Sequence, residues 1–148
     1  MKIRVQREDF DLNAEVNALK RAFPAVGAIV AFAGVVRGSD RLSSLTLEHY
    51  PGMTEREIAR HMEEAIARWP LLGVTVIHRI GELRPGDNIV LVAAAAEHRR
   101  TAFEATEFLM DYLKTRAPFW KHEAREGKSE WIDARDSDEA ALTRWRED

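Results

Sequence analysis

The sequence holds 148 residues, 45% hydrophobic and 32% charged, with a formal net charge of −3 and no cysteine. Those proportions fit one folded domain with a real core and exclude a disordered chain, while the mildly acidic balance argues against a broad nucleic-acid-binding face. Without thiols there are no disulfides, no thiolate metal sites, and no chemistry in which this chain carries sulfur or acyl groups on its own cysteine.

No apolar run approaches the roughly 20 residues of a membrane span. The opening MKIRVQREDF lacks the apolar core of a signal peptide, so a cytoplasmic location is expected. In DLNAEVNALKRAF, Leu12, Val16, Leu19 and Phe23 recur at helical spacing, and Pro24 ends the helix. The apolar run VGAIVAFAGVVRG reads as a buried strand. With the polar loop GSDRLSS and the alternating LTLEHY it predicts a hairpin.

PGMTEREIARHMEEAIARWP opens with a turn and a capping box of Thr54 and Glu57. Ile58, Met62, Ile66 and Trp69 form its apolar stripe, and Pro70 stops it. VTVIHRIGEL and NIVLVAAAAE predict two strands joined by a tight RPGD turn with Pro85 and Gly86 at its centre. HRRTAFEATEFLMDYLKTR predicts a second strong helix, with Phe103, Thr106, Leu109, Met110 and Leu113 on one side. FWKHEAREGKSEWIDA reads as a closing hairpin around Gly127, followed by a short helix from Ser137 to Trp145. The expected fold is α+β: a single domain over residues 1–148, a mixed or antiparallel sheet with packed helices, and a C-terminal β-hairpin subdomain.

Five histidines, His49, His61, His78, His98 and His122, are scattered without H-x-H or H-x-x-x-H spacing, so no metal or other cofactor is expected. His49 and His78 lie in alternating strand patterns and read most simply as core-side residues. EHRRTAF sets His98, Arg99 and Arg100 where a strand hands over to a helix, and the free backbone N–H groups there favour anions. The plainer alternative is a pair of solvated arginines, although basic groups at a helix start oppose its dipole. Arg37, after the strand in GVVRG, reads either as a group at a pocket mouth or as an ordinary surface arginine.

YLKTRAPFWKHE concentrates positive charge around an aromatic link. Lys114 suits the last turn of its helix as a matter of electrostatics alone. Lys121 follows Phe119 and Trp120 in a strand, where neighbours would shield it. Desolvation and nearby cations favour a neutral amine and so a usable nucleophile or proton carrier.

The sequence resembles the large, catalytic subunit of molybdopterin synthase. The resemblance runs from about Gly27 to Trp145 and rests on FAGVVR, LEHYPGM, RWP, VIHRIGEL, PGD, HR, W-x-x-A-R and above all MDYLKTRAPFWK. It implies conversion of cyclic pyranopterin monophosphate into molybdopterin. The sulfur comes from the C-terminal Gly-Gly thiocarboxylate of a small ubiquitin-like partner subunit. It further implies Lys114 and Lys121 as catalytic residues, and a substrate pocket lined by Arg37, His98, Arg99, Lys114, Lys121, His122, Glu123 and Arg135. A homodimer within a heterotetramer is expected, with neither nucleic acid nor membrane as partner. Val35 departs from the pattern, since some relatives carry lysine there. Two other readings fit the cationic pocket: a non-catalytic module binding an acidic peptide or nucleotide, and a metal-free cyclic phosphodiesterase.

Overall fold

The computed structural model describes residues 1–38, 42–125, 128–132 and 136–146. In chain order the elements are β1 (Lys2–Gln6), α1 (Leu12–Ala22), β2 (Ala28–Val35), β3 (Leu42–His49), α2 (Met53–Arg68) and β4 (Leu71–Arg79). They continue as β5 (Gly81–Leu83), β6 (Asn88–Ala96), α3 (Arg99–Thr115), β7 (Phe119–Arg125), β8 (Lys128–Ile132) and α4 (Asp136–Thr143). The α+β class is as expected, but the strands divide between two four-stranded sheets, ordered β1-β4-β6-β2 and β5-β3-β7-β8.

The first sheet is mixed: β1 runs parallel to β4, while β4 and β2 both run antiparallel to β6. Its central strand β6 is apolar on both faces and buried along most of its length. The pleat sends Val90 and Val92 toward Ile58, Met62 and Ala65 of α2 and Phe108, Leu109 and Leu113 of α3. Ala93 and Ala95 face the other way, onto Leu19 of α1. The second sheet is antiparallel, and Leu45, Leu47 and Leu83 from its inner face form a smaller core with Val36, which follows β2.

Several local expectations are corrected. β2 and β3 do not form a hairpin, because Val36 leaves the first sheet by bonding to the turn after β5. Its N–H donates to the Asp87 carbonyl at 2.8 Å, and its carbonyl accepts from Gly86 at 2.8 Å. VTVIHRIGEL is likewise two strands in different sheets, divided at Gly81, whose φ of +88° is a conformation glycine adopts without a Cβ penalty. β1 is a strand that sequence patterning did not register.

The RPGD turn is as expected. Asp87 N–H donates to the Arg84 carbonyl at 2.9 Å, and Gly86 has φ +92°, the type II arrangement of Pro then Gly. The α2 cap sits two residues before the predicted one: Gly52 is the N-cap, and its N–H donates to the Glu55 carboxylate at 2.7 Å. The helix stripes bury Ile58, Met62, Thr106, Leu109 and Leu113 as predicted, but each is misplaced at one position. Ile66 and Phe103 are exposed, whereas Ala65, Ala102, Ala105 and Phe108 are buried, since small residues let the helices lie close to the sheet.

No helix among the described residues is long and apolar enough to cross a membrane.

Candidate active site

The site is built where α3 hands over to β7. The last turn of α3 is closed by Arg116 N–H on the Tyr112 carbonyl at 2.7 Å, and Pro118 cannot extend a helix. Phe119 N–H then folds back to the Ala117 carbonyl at 2.8 Å, while the Thr54 hydroxyl donates to the Pro118 carbonyl at 3.3 Å. The Ala-Pro-Phe link is thus held from two sides. It sets Lys114 at the end of a helix and Lys121 in the adjoining strand.

α4 braces the same corner. Asp111 accepts from Trp145 Nε1 at 2.6 Å and from Arg144 at 2.7 Å, and Arg116 pairs with Glu139 at 2.6 Å. Trp145 in turn packs edge-on against Phe108 and Trp69, whose Nε1 donates to Glu104 at 2.9 Å.

His78 lies within electrostatic reach of both lysines. This residue ends the buried row of β4, with its ring stacked on Phe119 at a centroid distance of 3.7 Å and 15° between planes. His49, opposite Phe119 in the β3–β7 register, stacks on the same ring at 6.5 Å. Nδ1 of His78 lies 2.8 Å from the Arg79 carbonyl. A carbonyl only accepts, so Nδ1 carries the proton and Nε2 is the bare nitrogen. Burial pushes the His78 pKa down to about 4; the Arg79 bond opposes this, and the charges of Lys121, Lys114 and His49 reinforce it. The imidazole is therefore neutral at pH 7. Lys114 is exposed and Lys121 half-buried, so neither fills core volume.

The remaining expected pocket residues divide into three groups. β2 and β4 both run antiparallel to β6, and α3 runs back along it, so Arg37, His78 and Lys114 lie toward the same end of the first sheet. Arg37 stands exposed just past β2. His98 and Arg99, also exposed, begin α3 at the other end. An unbroken helix from Arg99 to Thr115 separates Arg99 from Lys114 by about 22 Å at 1.5 Å per residue. The neighbouring Arg100 is engaged by Glu104 at 2.9 Å, which offsets its misfit with the helix dipole.

Within β7 the pleat puts Lys121 and Glu123 on the inner face with Leu47 and Leu45. His122 lies on the outer face, against Trp131 at 5.0 Å, so one chain does not bring it to the side of Lys121. Glu123 is held by Arg125 at 2.8 Å. Arg135 lies outside the described residues.

Sequence patterning treated His78 as a core residue. It is buried, yet it also touches the ring that begins the lysine strand. The signal that could have found it is the pairing of a strand-end histidine with a helix-strand corner rich in lysine.

Fold and site together define a two-sheet α+β protein with a cysteine-free, lysine-paired site at one sheet end. The family model described as MoaE protein matches residues 5–116. The molybdopterin synthase catalytic subunit of Mesorhizobium japonicum is 56% identical over 147 residues, covering 97% of this chain and 92% of the relative. That of Escherichia coli is 58% identical over 122 residues, covering 80% and 81%. The solved structure of molybdopterin cofactor biosynthesis protein E from Burkholderia multivorans matches with a TM-score of 0.86 at 52% identity, covering 97% of this chain and 95% of that one. The chain belongs to the MoaE family, the catalytic subunits of molybdopterin synthase, an enzyme of molybdenum cofactor biosynthesis.

Proposed function

We propose that this chain, acting as one cytoplasmic domain over residues 1–148, transfers sulfur to cyclic pyranopterin monophosphate from the C-terminal thiocarboxylate of a small ubiquitin-like partner. The observation that supports the reading is the corner between α3 and β7, which sets Lys114 in the last turn of a helix and Lys121 on the inner face of the adjoining strand. Two cations at one corner suit a reaction whose substrate and sulfur donor are both anions. A chain without cysteine needs its sulfur delivered by another protein.

In the first step the thiocarboxylate sulfur displaces an oxygen from a carbon of the pterin side chain, forming a C–S bond and a thioester to the partner's tail as the C–O bond breaks and the oxygen leaves, protonated, as water. Water then cleaves the acyl–sulfur bond, leaving sulfur on the pterin and a carboxylate on the partner. A second charged partner repeats the transfer at the neighbouring carbon, opening the cyclic phosphate. Lys114 and Lys121 stabilise the developing oxyanions and move protons, while Arg37 holds phosphate at the same end of the sheet.

The pocket is shared across a homodimer. His98 and Arg99 are too far from Lys114 of their own chain to touch one compact substrate, and His122 faces away from Lys121. A two-fold axis brings the missing groups from the partner copy and makes two equivalent sites. β2 supports the assembly: it is an edge strand, AIVAFAGV, with no charge and with Phe32 and Val35 exposed, a surface that a second chain would cover. With one small partner bound per site, the complex is a heterotetramer.

Lys114→Ala and Lys121→Ala test the assignment. Each should fold and each should lose about 10²–10³-fold in turnover, the loss typical of one oxyanion contact. Near wild-type rates in both variants, with thiocarboxylated partner present, would overturn the lysine roles. A cyclic phosphodiesterase would open the phosphate without any sulfur donor, and a binding module would turn over nothing.

A further inference from the structure

The turn between β5 and β6 is closed twice. Asp87 N–H donates to the Arg84 carbonyl at 2.9 Å, and Arg84 N–H donates back to the Asp87 carboxylate at 2.8 Å. Pro85 and Gly86 supply the backbone angles between them, with Gly86 at φ +92°. The closed turn then grips a segment fifty residues earlier in the chain. The Asp87 carbonyl accepts from Val36 N–H, and Gly86 N–H donates to the Val36 carbonyl, both at 2.8 Å.

Val36 immediately precedes Arg37. β2 leaves its ladder at a bulge between Gly34 and Val35, where pairing skips from Val90 to Asn88. Val36 is then 3% exposed and shares the second core with Leu45, Leu47 and Leu83, while Val35 and Arg37 on either side are exposed. Its N–H, its carbonyl and its side chain are thus all fixed, and the next Cα lies only about 3.8 Å further on. Leu47 of the same core stands opposite Lys121 in the β3–β7 register. Arg37 therefore leaves the chain from a fixed point beside the core that Lys121 adjoins.

We propose that the Arg84–Asp87 turn is the positioning element for Arg37, with Asp87 its central residue, fixing the backbone from which the guanidinium reaches the substrate's phosphate. This rests on the reading that Arg37 holds phosphate. A long side chain rooted in a loose segment would have to order both backbone and rotamers on binding, and a fixed root removes the first cost. The effect belongs to substrate binding, so it falls on KM rather than kcat.

Arg37→Ala should raise KM for cyclic pyranopterin monophosphate about 10–100-fold, the loss of a hydrogen bond to a charged group. Asp87→Ala removes the acceptor of Arg84 N–H and should raise KM about fivefold, with kcat changed by less than about twofold. Asp87→Asn keeps a side-chain oxygen and should restore most of the wild-type KM. Added to Arg37→Ala, Asp87→Ala should change KM by less than about twofold, because the two act through one contact. A turn that serves only the fold predicts the same effect of Asp87→Ala with and without Arg37, and that result would overturn the proposal. If Asp87→Ala does not fold, Gly86→Ala makes the same comparison: its added Cβ meets nothing within 4 Å, so it strains only the backbone at positive φ.

Hydrogen exchange at the Val36 amide reads the grip without turnover. Exchange should quicken about tenfold or more in Asp87→Ala and much less in Asp87→Asn. Unchanged exchange in Asp87→Ala would overturn the proposal. If Arg37→Ala keeps the wild-type KM while Val36 exchange quickens in Asp87→Ala, the phosphate assignment falls and the fixing of the backbone stands.

Discussion

Asp111 holds the corner that carries Lys114, and its removal should be costly in a way the structure lets one size. Its carboxylate accepts from Trp145 Nε1 at 2.6 Å and from Arg144 at 2.7 Å. A hydrogen bond to a charged group contributes about 1.5–3 kcal/mol, and an orphaned donor adds the cost of its own desolvation. The Arg144 bond is worth little here, because that side chain is 47% exposed and also reaches Glu107 at 2.7 Å. Asp111→Ala should therefore cost about 2–3 kcal/mol, nearly all of it from the stranded indole N–H.

For a chain of this length that is a drop of about 4–12 °C in Tm. Asp111→Asn keeps an oxygen for the indole and loses only the charge, so it should cost less than half as much. Urea unfolding followed by tryptophan fluorescence measures both, since Trp145 sits against Trp69 and Phe108. If Asp111→Ala unfolds within 0.5 kcal/mol of wild type, or if the asparagine variant is equally damaged, the clamp does not work as described.

Mixing Arg99→Ala chains with Lys114→Ala chains should restore part of the activity once mixed dimers form, since one site of each mixed dimer is then intact; demonstrated mixed dimers without recovery would place each site in one chain. Below pH 6.5 an unfolded His78 binds a proton that the folded protein refuses until about pH 4, so folding stability falls as pH drops through that window. The loss at pH 4 is about 3 kcal/mol, and His78→Phe should flatten it; equal pH slopes in the two proteins would contradict the buried neutral ring. Replacing the terminal glycine of the partner's tail by a bulky residue should abolish transfer, because glycine alone threads a narrow groove without a side chain; unimpaired transfer would argue for an open site.

Much of this fold is legible in the sequence because local chemistry decides it. Pro24, Pro70 and Pro118 stop helices, Pro85-Gly86 makes its turn, and the β7–β8 hairpin forms between adjacent segments. What is not legible is partner choice between strands. β2 is apolar enough to sit in either sheet, and the two backbone bonds at Val36 that steer the chain away are set by a turn fifty residues later. Helix faces fail for a related reason: Ile66 and Phe103 fit the spacing of a core stripe, but alanines at 65, 102 and 105 allow the closer approach and take the buried side.

At the site, Lys114 and Lys121 stand out in sequence because their charge sits beside Phe119 and Trp120. His78 does not, because its stack on Phe119 depends on β4 and β7 meeting across two different sheets. The division of Lys121 from His122 needs only the strand pleat, and is readable once β7 is known to have one buried face.

The most direct test of the central claim is reconstitution with cyclic pyranopterin monophosphate and a thiocarboxylated small partner, following product and sulfur together. The account predicts molybdopterin in proportion to thiocarboxylate consumed, two per product, and none when the partner's tail ends in an ordinary carboxylate. Product formed without thiocarboxylate, or phosphate-ring opening that leaves the partner's sulfur in place, would contradict it.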